Sequence, residues 1–478
     1  MSDLREFVRR LRAAGELIEV SAPVDAHLEI TEIADRVMKS GGPALLFTNV
    51  IGSDLPLLIN QFGSERRMGM ALRTDNLDQI AGRIQDLLEF QPPQGLLEKA
   101  KALGKLKDLA SWPPKIVKSG SCQDVWLPAP DLDLLPILTC WPDDGGPFIT
   151  LPLVFSKDPR TGLRNCGMYR IQKVDKTTAM MHWQIHKDGA AHLRDSQGRV
   201  PVAVAIGSDP AVTYAATAPL PPNLDEMMLA GFIRGKAVEM VRCRTVDVEV
   251  PADAEIVLEG YVDATDLRPE GPFGDHTGFY TPVDDYPTFH ITGMSMRRDA
   301  IYSTTVVGIP PMEDFWLGKA TERIFLPLIK VTMPDLVDLH FPPEGTFHNC
   351  VIVSVKKRYP GHAKKLMNAI WGAGLMSLTR CIIVVDHDVN VHDMSAVAFH
   401  AFSNVDVGRD MLVTEGPVDA LDHAAPYFAL GSKVGFDATR KLPGEGIVRP
   451  WPEEARMSVD VRDRVSERWR ELGIPGLS

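Results

Sequence analysis

Two carboxylates flank a short turn in residues 269–280, Pro-Glu-Gly-Pro-Phe-Gly-Asp-His-Thr-Gly-Phe-Tyr. Glu270 and Asp275 are five positions apart, and Gly271 and Gly274 permit backbone angles that a side chain would forbid. Such a turn can bring two acids to one site without a helix. Paired acids in one pocket push their pKa values apart, so one can keep a proton to donate at neutral pH. On spacing alone, a solvated β-turn with ordinary surface acids is the commoner interpretation.

Two histidines lie four positions apart, at His182 and His186. On a helix this spacing would place both rings on one side, as in the zinc-binding His-Glu-x-x-His motif. The residue after His182 is Trp183, so the glutamate that acts as general base in that motif is missing. Residues 180–186 are equally compatible with a strand. A zinc hydrolase is therefore the weaker alternative.

Four motifs follow one another along the chain. They are residues 164–170 (Arg-Asn-Cys-Gly-Met-Tyr-Arg), 181–187 (Met-His-Trp-Gln-Ile-His-Lys), 230–241 and 269–280. Together they closely resemble the signatures of the UbiD-like decarboxylases, which use prenylated flavin mononucleotide (FMN), and they occur in that family's order. Four ordered motifs are far more specific than any one of them. The resemblance extends over nearly the whole chain, as far as residues 437–443.

The resemblance implies a divalent metal bound by Asn165, His186 and Glu239. An amide oxygen, an imidazole and a carboxylate suit an ion such as Mn²⁺, which would bridge the protein and the cofactor phosphate. A monovalent cation, K⁺ or Na⁺, is a further expectation. Without the family, Asn165 is equally a turn residue, His186 a core histidine and Glu239 a surface acid.

The resemblance also implies the catalytic residues. Arg170 would face the reacting carboxylate and pair with Glu270, because a guanidinium fork suits bidentate binding of a carboxylate. Asp275 would be the proton donor. Ferulic acid-type decarboxylases have glutamate at this position, whereas aspartate is typical of the quinone-pathway branch. The alternative for Arg170 and Glu270 is an ordinary buried ion pair.

The family's contacts with prenylated FMN map onto residues in the first motif and in the second motif with the residue that follows it. They are Met168, Tyr169, Arg170, His182, Trp183, Gln184, Lys187 and Asp188. The last pair departs from the Arg-Gly common in the family, so Asp188 places a negative charge where phosphate is expected, and Lys187 offsets it. The chain has no Rossmann Gly-x-Gly-x-x-Gly motif and no Walker A motif, so dinucleotide or ATP chemistry lacks support.

The resemblance implies a non-oxidative, reversible decarboxylase of an aromatic or α,β-unsaturated acid. Loss of CO₂ leaves a carbanion, and no ordinary side chain supplies the electron sink that it needs, so a cofactor must. The sequence as a whole most resembles the quinone-pathway members of the family. Menaquinone biosynthesis is the first choice of pathway and ubiquinone biosynthesis the second. A catabolic aromatic-acid decarboxylase is the third alternative. A flavin-binding protein without lyase activity is the fourth, but it would not need Arg170, Glu270 and Asp275 together.

Composition limits the class of protein. The chain has 478 residues with a formal net charge of −12, which argues against a nucleic-acid-binding surface. Its six cysteines form no Cys-x-x-Cys pair, and residues 1–6 are charged without an apolar stretch, so a cytoplasmic protein is expected. Peripheral contact with the inner membrane stays open.

The resemblance implies a flavin prenyltransferase as cofactor supplier and a homo-oligomer, dimer or hexamer.

Periodicity predicts a mixed α/β and β architecture. Domains are expected at residues 1–115 (α/β), 116–310 (a split β-barrel that binds the flavin, by the resemblance), 311–450 (α/β) and 451–478 (a C-terminal helix). Predicted helices cover residues 4–11, 29–38, 96–109, 224–234 and 361–373, and predicted strands cover 17–20, 44–47, 202–206, 246–250, 255–262, 350–355 and 381–386. A C-terminal apolar stripe is expected to contact a partner subunit: Val461, Val465, Trp469 and Leu472.

Overall fold

The N-terminal region alternates helices with short buried strands, as the apolar periodicity predicts. The first helix begins after Asp3, whose side chain accepts a hydrogen bond from the Glu6 backbone amide, and it buries the predicted apolar stripe. The computed structural model describes residues 3–89, 107–183, 188–196, 198–221, 224–346 and 348–474, so most of the helix predicted at 96–109 lies outside them. The elements are α1 (Leu4–Ala13), β1 (Leu17–Val20), α2 (Glu29–Lys39), β2 (Ala44–Phe47), β3 (Leu57–Ile59), α3 (Glu65–Leu72) and α4 (Asp78–Leu88).

The central region is dominated by antiparallel strands. Its elements are β4 (Lys115–Val117), β5 (Val125–Leu127), β6 (Phe148–Ile149), β7 (Leu153–Lys157), β8 (Arg164–Gly167), β9 (Ile171–Lys173), β10 (Thr178–Met181), α5 (Asp188–Asp195), β11 (Arg199–Ile206), α6 (Pro210–Ala215), α7 (Glu226–Arg234), β12 (Glu239–Arg242), β13 (Glu249–Pro251), β14 (Ile256–Glu270), β15 (Phe273–Gly274), β16 (Tyr280–Thr281), β17 (Asp284–Met296) and β18 (Tyr302–Ser303).

A large sheet joins most of these strands in the order β6-β9-β10-β17-β14-β11-β7-β8, and β5 also pairs with β17. Strand β14 is long because it pairs with β11 at its start and follows β17 throughout, with register shifts after Glu259 and Asp263. Such irregularities bend a strand. The bent strand ends at Glu270, so the sheet itself delivers the first motif acid.

The strand predicted at residues 246–250 is wrong in its first half, because β13 begins only at Glu249. The backbone amides of Arg244 and Thr245 donate to the buried carboxylate of Glu259, which holds the chain there in a turn. An alternating Val-Asp-Val pattern predicts a strand, but this tertiary hydrogen bonding takes precedence.

The C-terminal region is again α/β. Its elements are α8 (Glu313–Thr332), β19 (Leu336–His340), β20 (Cys350–Val355), α9 (His362–Trp371), β21 (Cys381–Asp386), α10 (Met394–Asn404), α11 (Val407–Asp410), β22 (Met411–Pro417), β23 (Leu430–Asp437) and α12 (Val459–Arg468). The sheet order is β19-β20-β21-β23-β22, with β20, β21 and β23 parallel. The near-continuous apolar strands β20 and β21 form its buried centre, as predicted.

Two features concern the surface of the whole chain. Helix α12 has no fully buried residue, and of the predicted apolar stripe Val465 and Leu472 are exposed while Val461 and Trp469 are half-buried, so the rest of the described chain covers the stripe only in part. Among the described helices, none combines the length and the apolar character that crossing a bilayer requires.

Candidate active site

The two motif acids are held at the end of β14 and in the hairpin formed by β15 and β16. Glu270 is the last residue of β14 and is fully buried. Asp275 follows β15, where its backbone amide donates to the carbonyl oxygen of Phe279 at 3.1 Å and its own carbonyl accepts from Gly278 at 2.9 Å. The turn therefore holds the Asp275 backbone by hydrogen bonds on both sides.

The glycines of this motif are required for different reasons. Gly271 has a φ of 96°, in the left-handed region, as the sequence predicts. Gly274 has no such angle; instead, a Cβ atom there would overlap the indole ring of Trp141. Its backbone amide donates to Asp144 Oδ1 at 2.8 Å. Close packing against a neighbouring loop, which the sequence does not show, explains the second glycine.

Arg170 lies between the two acids. Its Nε donates to Glu270 Oε1 at 2.8 Å and its Nη2 donates to Glu270 Oε2 at 3.2 Å, while Nη1 donates to Asp275 Oδ2. Nη2 also donates to Thr281 Oγ1 at 3.1 Å, and the guanidinium carbon lies 4.6 Å from the ring centre of Phe273. The predicted catalytic residues thus form one contiguous, largely buried ion cluster.

Charge around this cluster lowers the pKa of both acids when no substrate is bound. Burial would raise the pKa of Asp275, but the charges of His276 and Arg170 and hydrogen bonds from His276 outweigh it and hold the pKa well below its usual range. Burial would likewise raise the pKa of Glu270, but hydrogen bonds from His182 and Arg170 lower it. In the substrate-free state the two pKa values are therefore both lowered instead of being pushed apart, and the protonation of Asp275 during the reaction stays a prediction. The physical reason is that cations, not the other acid, are each carboxylate's nearest neighbours.

His182 contacts the acid cluster directly. It follows β10, its Nδ1 lies 3.2 Å from Glu270 Oε2, and its ring centre lies 4.2 Å from that of Tyr286. Burial lowers the pKa of His182. Residues 182–183 are not helical and α5 begins only at Asp188, so His182 does not lie on a zinc-binding helix. The zinc hydrolase alternative is wrong for this reason.

A group of predicted cofactor contacts lies beside the sheet. Tyr169 and Trp183 are buried, with ring centres 6.5 Å apart in an edge-on arrangement. Gly167 and Gly189 leave room for these rings, because a Cβ atom at either glycine would overlap one of them. Met168 packs between two apolar core clusters. Gln184, His186 and Lys187 lie outside the described residues, as does the Asp188 side chain.

Two of the three predicted metal ligands are described. Asn165 lies in β8 and is buried, whereas Glu239 begins β12 and is exposed. Their sequence neighbours Cys166 and Met240 belong to the same apolar cluster, so the two strands share one core. The third predicted ligand, His186, lies outside the described residues.

Two buried polar atoms here have no hydrogen-bond partner in the described part of the chain: Asn165 Nδ2 and Trp183 Nε1. A buried polar group without a partner costs about 1–3 kcal/mol, so a bound group with complementary atoms would relieve both. Amide nitrogen and oxygen atoms are interchangeable by a flip, so Asn165 suits either a metal ion or a phosphate oxygen. The described residues therefore fit a polar, phosphate-bearing cofactor.

The sequence did not indicate three residues that the structure adds to the site. Thr281 is hydrogen-bonded to Arg170, and His276 lies on Asp275 with Nδ1 2.8 Å from Oδ1. His348 lies against His276, with the two Nε2 atoms 2.7 Å apart. The position of His276 beside Asp275 was the available signal for that residue. For His348, in a different region of the chain, there was none.

A separate group of possible metal ligands lies in the C-terminal region, at Glu322, His340 and His392. The ammonium of Lys319 lies 2.6 Å from Glu322 Oε1 and 2.9 Å from His392 Nδ1. This lysine therefore already provides the positive charge that the group attracts.

Family models match the chain in three consecutive parts. The 3-octaprenyl-4-hydroxybenzoate carboxy-lyase (UbiD) N-terminal domain matches residues 8–84, the Rift-related domain residues 115–310, and the C-terminal domain residues 315–438. The chain belongs to the UbiD family. A protein of Archaeoglobus fulgidus and one of Aquifex aeolicus, both named only as uncharacterized, are 51% and 50% identical to this UbiD chain. The alignments cover 98% and 99% of both chains, respectively.

Solved structures show the same UbiD fold. Sedimentibacter hydroxybenzoicus vanillic acid decarboxylase in its closed form has a TM-score of 0.85 at 26% identity, covering 99% of both chains. The UbiD-class enzyme HmfF from Pelotomaculum thermopropionicum, in complex with FMN, has a TM-score of 0.79 at 27% identity, covering 97% of this chain and 98% of that one. The chain is therefore a UbiD-class carboxy-lyase, and the predicted mixed α/β fold is confirmed.

Proposed function

We propose that this protein is a non-oxidative, reversible decarboxylase of an aromatic or α,β-unsaturated acid that uses prenylated FMN and a divalent metal. The observation that supports this most is the cluster of Arg170 with Glu270 and Asp275, buried at the end of β14. A protein that only binds flavin has no need of a buried guanidinium shared by two ionised acids. Burying ions in this way costs free energy. The presence of the cluster is therefore better explained by a role in function than by a contribution to stability.

Arg170 has a donor left for a substrate. Of its five N–H groups, Nε, one on Nη1 and both on Nη2 are used by Glu270, Asp275 and Thr281. In the contacts of the described residues, the second Nη1 hydrogen has no acceptor. A substrate carboxylate that approaches it displaces Asp275 from part of the guanidinium. This weakens the stabilisation of the Asp275 carboxylate by the Arg170 charge and lets the pKa of Asp275 rise towards that of a proton donor.

The cofactor site is proposed from the same region. Tyr169, Trp183 and His182 would contact the flavin, together with Met168, Gln184, Lys187 and Asp188. Asn165, His186 and Glu239 would hold Mn²⁺ at its phosphate, with K⁺ or Na⁺ as an additional ion. When bound, prenylated FMN supplies the electron sink for the charge left by CO₂. A flavin prenyltransferase would supply it.

The substrate is proposed to belong to a quinone pathway, menaquinone first and ubiquinone second. The support is Asp275, since aspartate at this position resembles the quinone-pathway branch. A catabolic aromatic-acid decarboxylase is the second candidate, because the vanillic acid decarboxylase of S. hydroxybenzoicus has the same fold over the full chain. The two are separated by assaying the loaded enzyme with a dihydroxynaphthoate, a prenylated 4-hydroxybenzoate and vanillate.

The decisive variant is Asp275→Asn, which keeps the shape of the side chain but cannot supply a proton. We expect it to fold and to load flavin and metal normally. We expect decarboxylation and hydrogen–deuterium exchange at the product carbon to fall on the order of 10²-fold or more, the usual size for a general acid. Asp247→Asn is the control, because Asp247 has a side chain that is 88% exposed. Near-normal decarboxylation by loaded Asp275→Asn would show the proposed mechanism to be wrong.

A further inference from the structure

Two histidines extend the acid cluster away from Arg170. His276 Nδ1 lies 2.8 Å from Asp275 Oδ1, and the His276 backbone amide donates to the same oxygen at 2.7 Å. On its other side, His276 Nε2 lies 2.7 Å from His348 Nε2. His348 Nδ1 lies 3.1 Å from Asn349 Oδ1. The result is a continuous chain of hydrogen bonds from Asp275 through two imidazoles to an amide.

The acceptors in this chain indicate where a proton is held. Both oxygens of Asp275 accept hydrogen bonds, from Arg170 and from the His276 backbone amide, so the carboxyl group is ionised and His276 Nδ1 has a hydrogen. With the Asn349 amide oriented as in the structure, its Oδ1 accepts from His348 Nδ1, and a neutral His348 accepts at Nε2. His276 then donates across the short Nε2–Nε2 contact, and in this arrangement it has hydrogen on both nitrogens and is an imidazolium.

We propose that His276 holds the proton that Asp275 delivers to the product carbon, and that neutral His348 keeps His276 in this state by accepting its Nε2 hydrogen. This inference rests on the proposed function, because it adds a source for the proton that Asp275 donates. His276 acts through Asp275 and does not touch the substrate. It supports catalysis indirectly, by keeping a proton next to Asp275.

The surrounding charges agree with this assignment. Burial would lower the pKa of His276, but the carboxylates of Asp275, Asp314 and Asp419 outweigh burial and raise it. They lie on three different parts of the chain: the hairpin, the start of α8 and the segment after β22. Burial and the charge of His276 lower the pKa of His348 to about 4. These shifts favour a charged His276 beside a neutral His348.

The proposed step is balanced as a proton transfer. When the substrate carboxylate engages Arg170, the N–H bond at His276 Nδ1 breaks and an O–H bond forms at Asp275 Oδ1. Asp275 then gives this proton to the carbon that has lost CO₂, and returns to the carboxylate. His276, whose side chain is 18% exposed, regains a proton from solvent after the product leaves.

The test is the pH dependence of loaded His276→Gln. A histidine with a raised pKa stays charged above its ordinary value of about 6.5, whereas a carboxyl group alone protonates at about 4. We expect the alkaline fall in hydrogen–deuterium exchange to move to lower pH by at least about one unit in this variant. The rate should fall at least about tenfold at pH 7.5 and approach the wild-type rate near pH 5.5. A merely structural role would lower the rate equally at every pH, and that result would overturn the proposal.

Two further variants make the test specific. His348→Gln can still accept the Nε2 hydrogen and should keep the wild-type profile, whereas His348→Leu should move it as His276→Gln does. His290→Gln is the matched control, because His290 also pairs with an aspartate, with Nε2 3.0 Å from Asp266 Oδ2, but lies away from the cluster. A shifted profile in His290→Gln, or an unshifted one in His348→Leu, contradicts the proposal.

A measurement on the full chain without cofactor separates this inference from the proposed function. With ¹⁵N-labelled histidine, one imidazolium signal should persist above pH 6.5, disappear in His276→Gln, and titrate at lower pH in Asp275→Asn. If no signal behaves in this way, the inference is wrong whatever the enzyme's activity. If the signal is present but loaded wild-type enzyme neither decarboxylates nor exchanges any tested acid, the proposed function is wrong instead.

Discussion

Arg170 is shared by two acids that would otherwise repel each other. Glu270 receives two of its hydrogen bonds and Asp275 a third, and the side chain of Arg170 is only 9% exposed. One positive charge cannot neutralise two negative ones, and His276, which contacts Asp275, provides the second when it is protonated. The negative charge of the acids in turn raises the pKa of His276, which ties its protonation to the geometry of the acids.

Replacement of Arg170 by lysine should show the value of the guanidinium fork. An ammonium keeps the charge but cannot hold Glu270 bidentately while also reaching Asp275. We expect a loss of decarboxylation on the order of 10²-fold, since misplaced groups lose orientation. We also expect a fall of about 1–3 kcal/mol in the free energy of unfolding, since a buried acceptor loses its donor. Activity assays and denaturant titration of Arg170→Lys measure both.

Arg199→Lys is the control for that experiment. Arg199 also pairs with an aspartate, Asp263, on the same sheet, but its side chain is 66% exposed. Exposed ion pairs contribute little to stability, so this variant should behave like wild type. A similar loss in both variants would mean that any arginine on the sheet matters equally, contrary to the role assigned to Arg170.

The hairpin of β15 and β16 is the element that places Asp275. It is short, and its own two-residue pairing would not keep it in one position. The loop at residues 141–145 supports it: Gly145 donates its amide to Pro272 at 2.8 Å, Asp144 accepts from Gly274, and Trp141 packs on Gly274. The precision of the acid thus depends on a loop more than 120 residues earlier in the sequence.

Gly274→Ala tests whether catalysis depends on the packing of the hairpin, while the catalytic side chains themselves stay unchanged. The added methyl group would overlap the indole ring of Trp141, so either the ring or the hairpin must move. We expect the free energy of unfolding to fall by roughly 1–3 kcal/mol, typical of an overpacked core. We expect decarboxylation to fall more steeply than stability implies, because Asp275 follows directly. Thermal unfolding and activity assays of the loaded variant measure the two effects.

Gly82→Ala is the comparison, because Gly82 lies within α4 and a Cβ atom there meets nothing within 4 Å. Alanine favours a helix interior over glycine, so this variant should gain roughly 0.5–1 kcal/mol of stability with unchanged activity. A Gly274→Ala enzyme with full activity would show that the hairpin tolerates displacement and that its packing does not position the acid.

The N-terminal and central regions are joined by contacts distant in sequence. Strand β18, at residues 302–303, pairs with β3 and so adds the end of the central region to the N-terminal sheet. Arg5 in α1 donates to the fully buried Glu255 at 3.1 Å, and Arg297 approaches the same carboxylate at 3.3 Å. Because of these contacts, the boundaries predicted at residues 115, 310 and 450 stay predictions.

Truncation after Asp460 tests the assembly of the molecule. Helix α12 fully buries none of its residues within the described chain, with Val461 half-buried and Val465 exposed, so apolar surface is available to a second copy. We expect the truncated protein to show a lower oligomer mass by light scattering, with a decrease larger than the lost tail itself. Val461→Glu with Val465→Glu should do the same in the full-length chain, because charge opposes burial.

Arg462→Glu with Arg464→Glu is the control for the tail, since it changes charge on the same helix outside the predicted stripe. Its oligomer mass should match that of the wild type. A folded truncated protein with unchanged oligomer mass would show that the tail does not contribute to the interface.

The helices and strands were mostly predictable because local periodicity determines them. The stripe of α1 and the apolar runs of β20 and β21 appear where the sequence places them, since each element buries a face that its own residues define. The strand predicted from residue 246 fails because Glu259, a buried acid in another strand, binds the backbone there. The pattern of side chains does not contain that partner.

The sequence by itself determined the family and the identity of the acids, because Arg170, Glu270 and Asp275 occur in motifs whose order is specific. Only the tertiary structure decided how these residues share charge. It placed Arg170 on both acids and His276 on Asp275, so the pKa of both carboxyl groups is lowered, whereas the spacing alone favoured ordinary surface acids in a solvated turn. It also brought His348 to His276 from 72 residues away. The pKa of a buried group depends on which charges surround it, and that is a property of the folded chain.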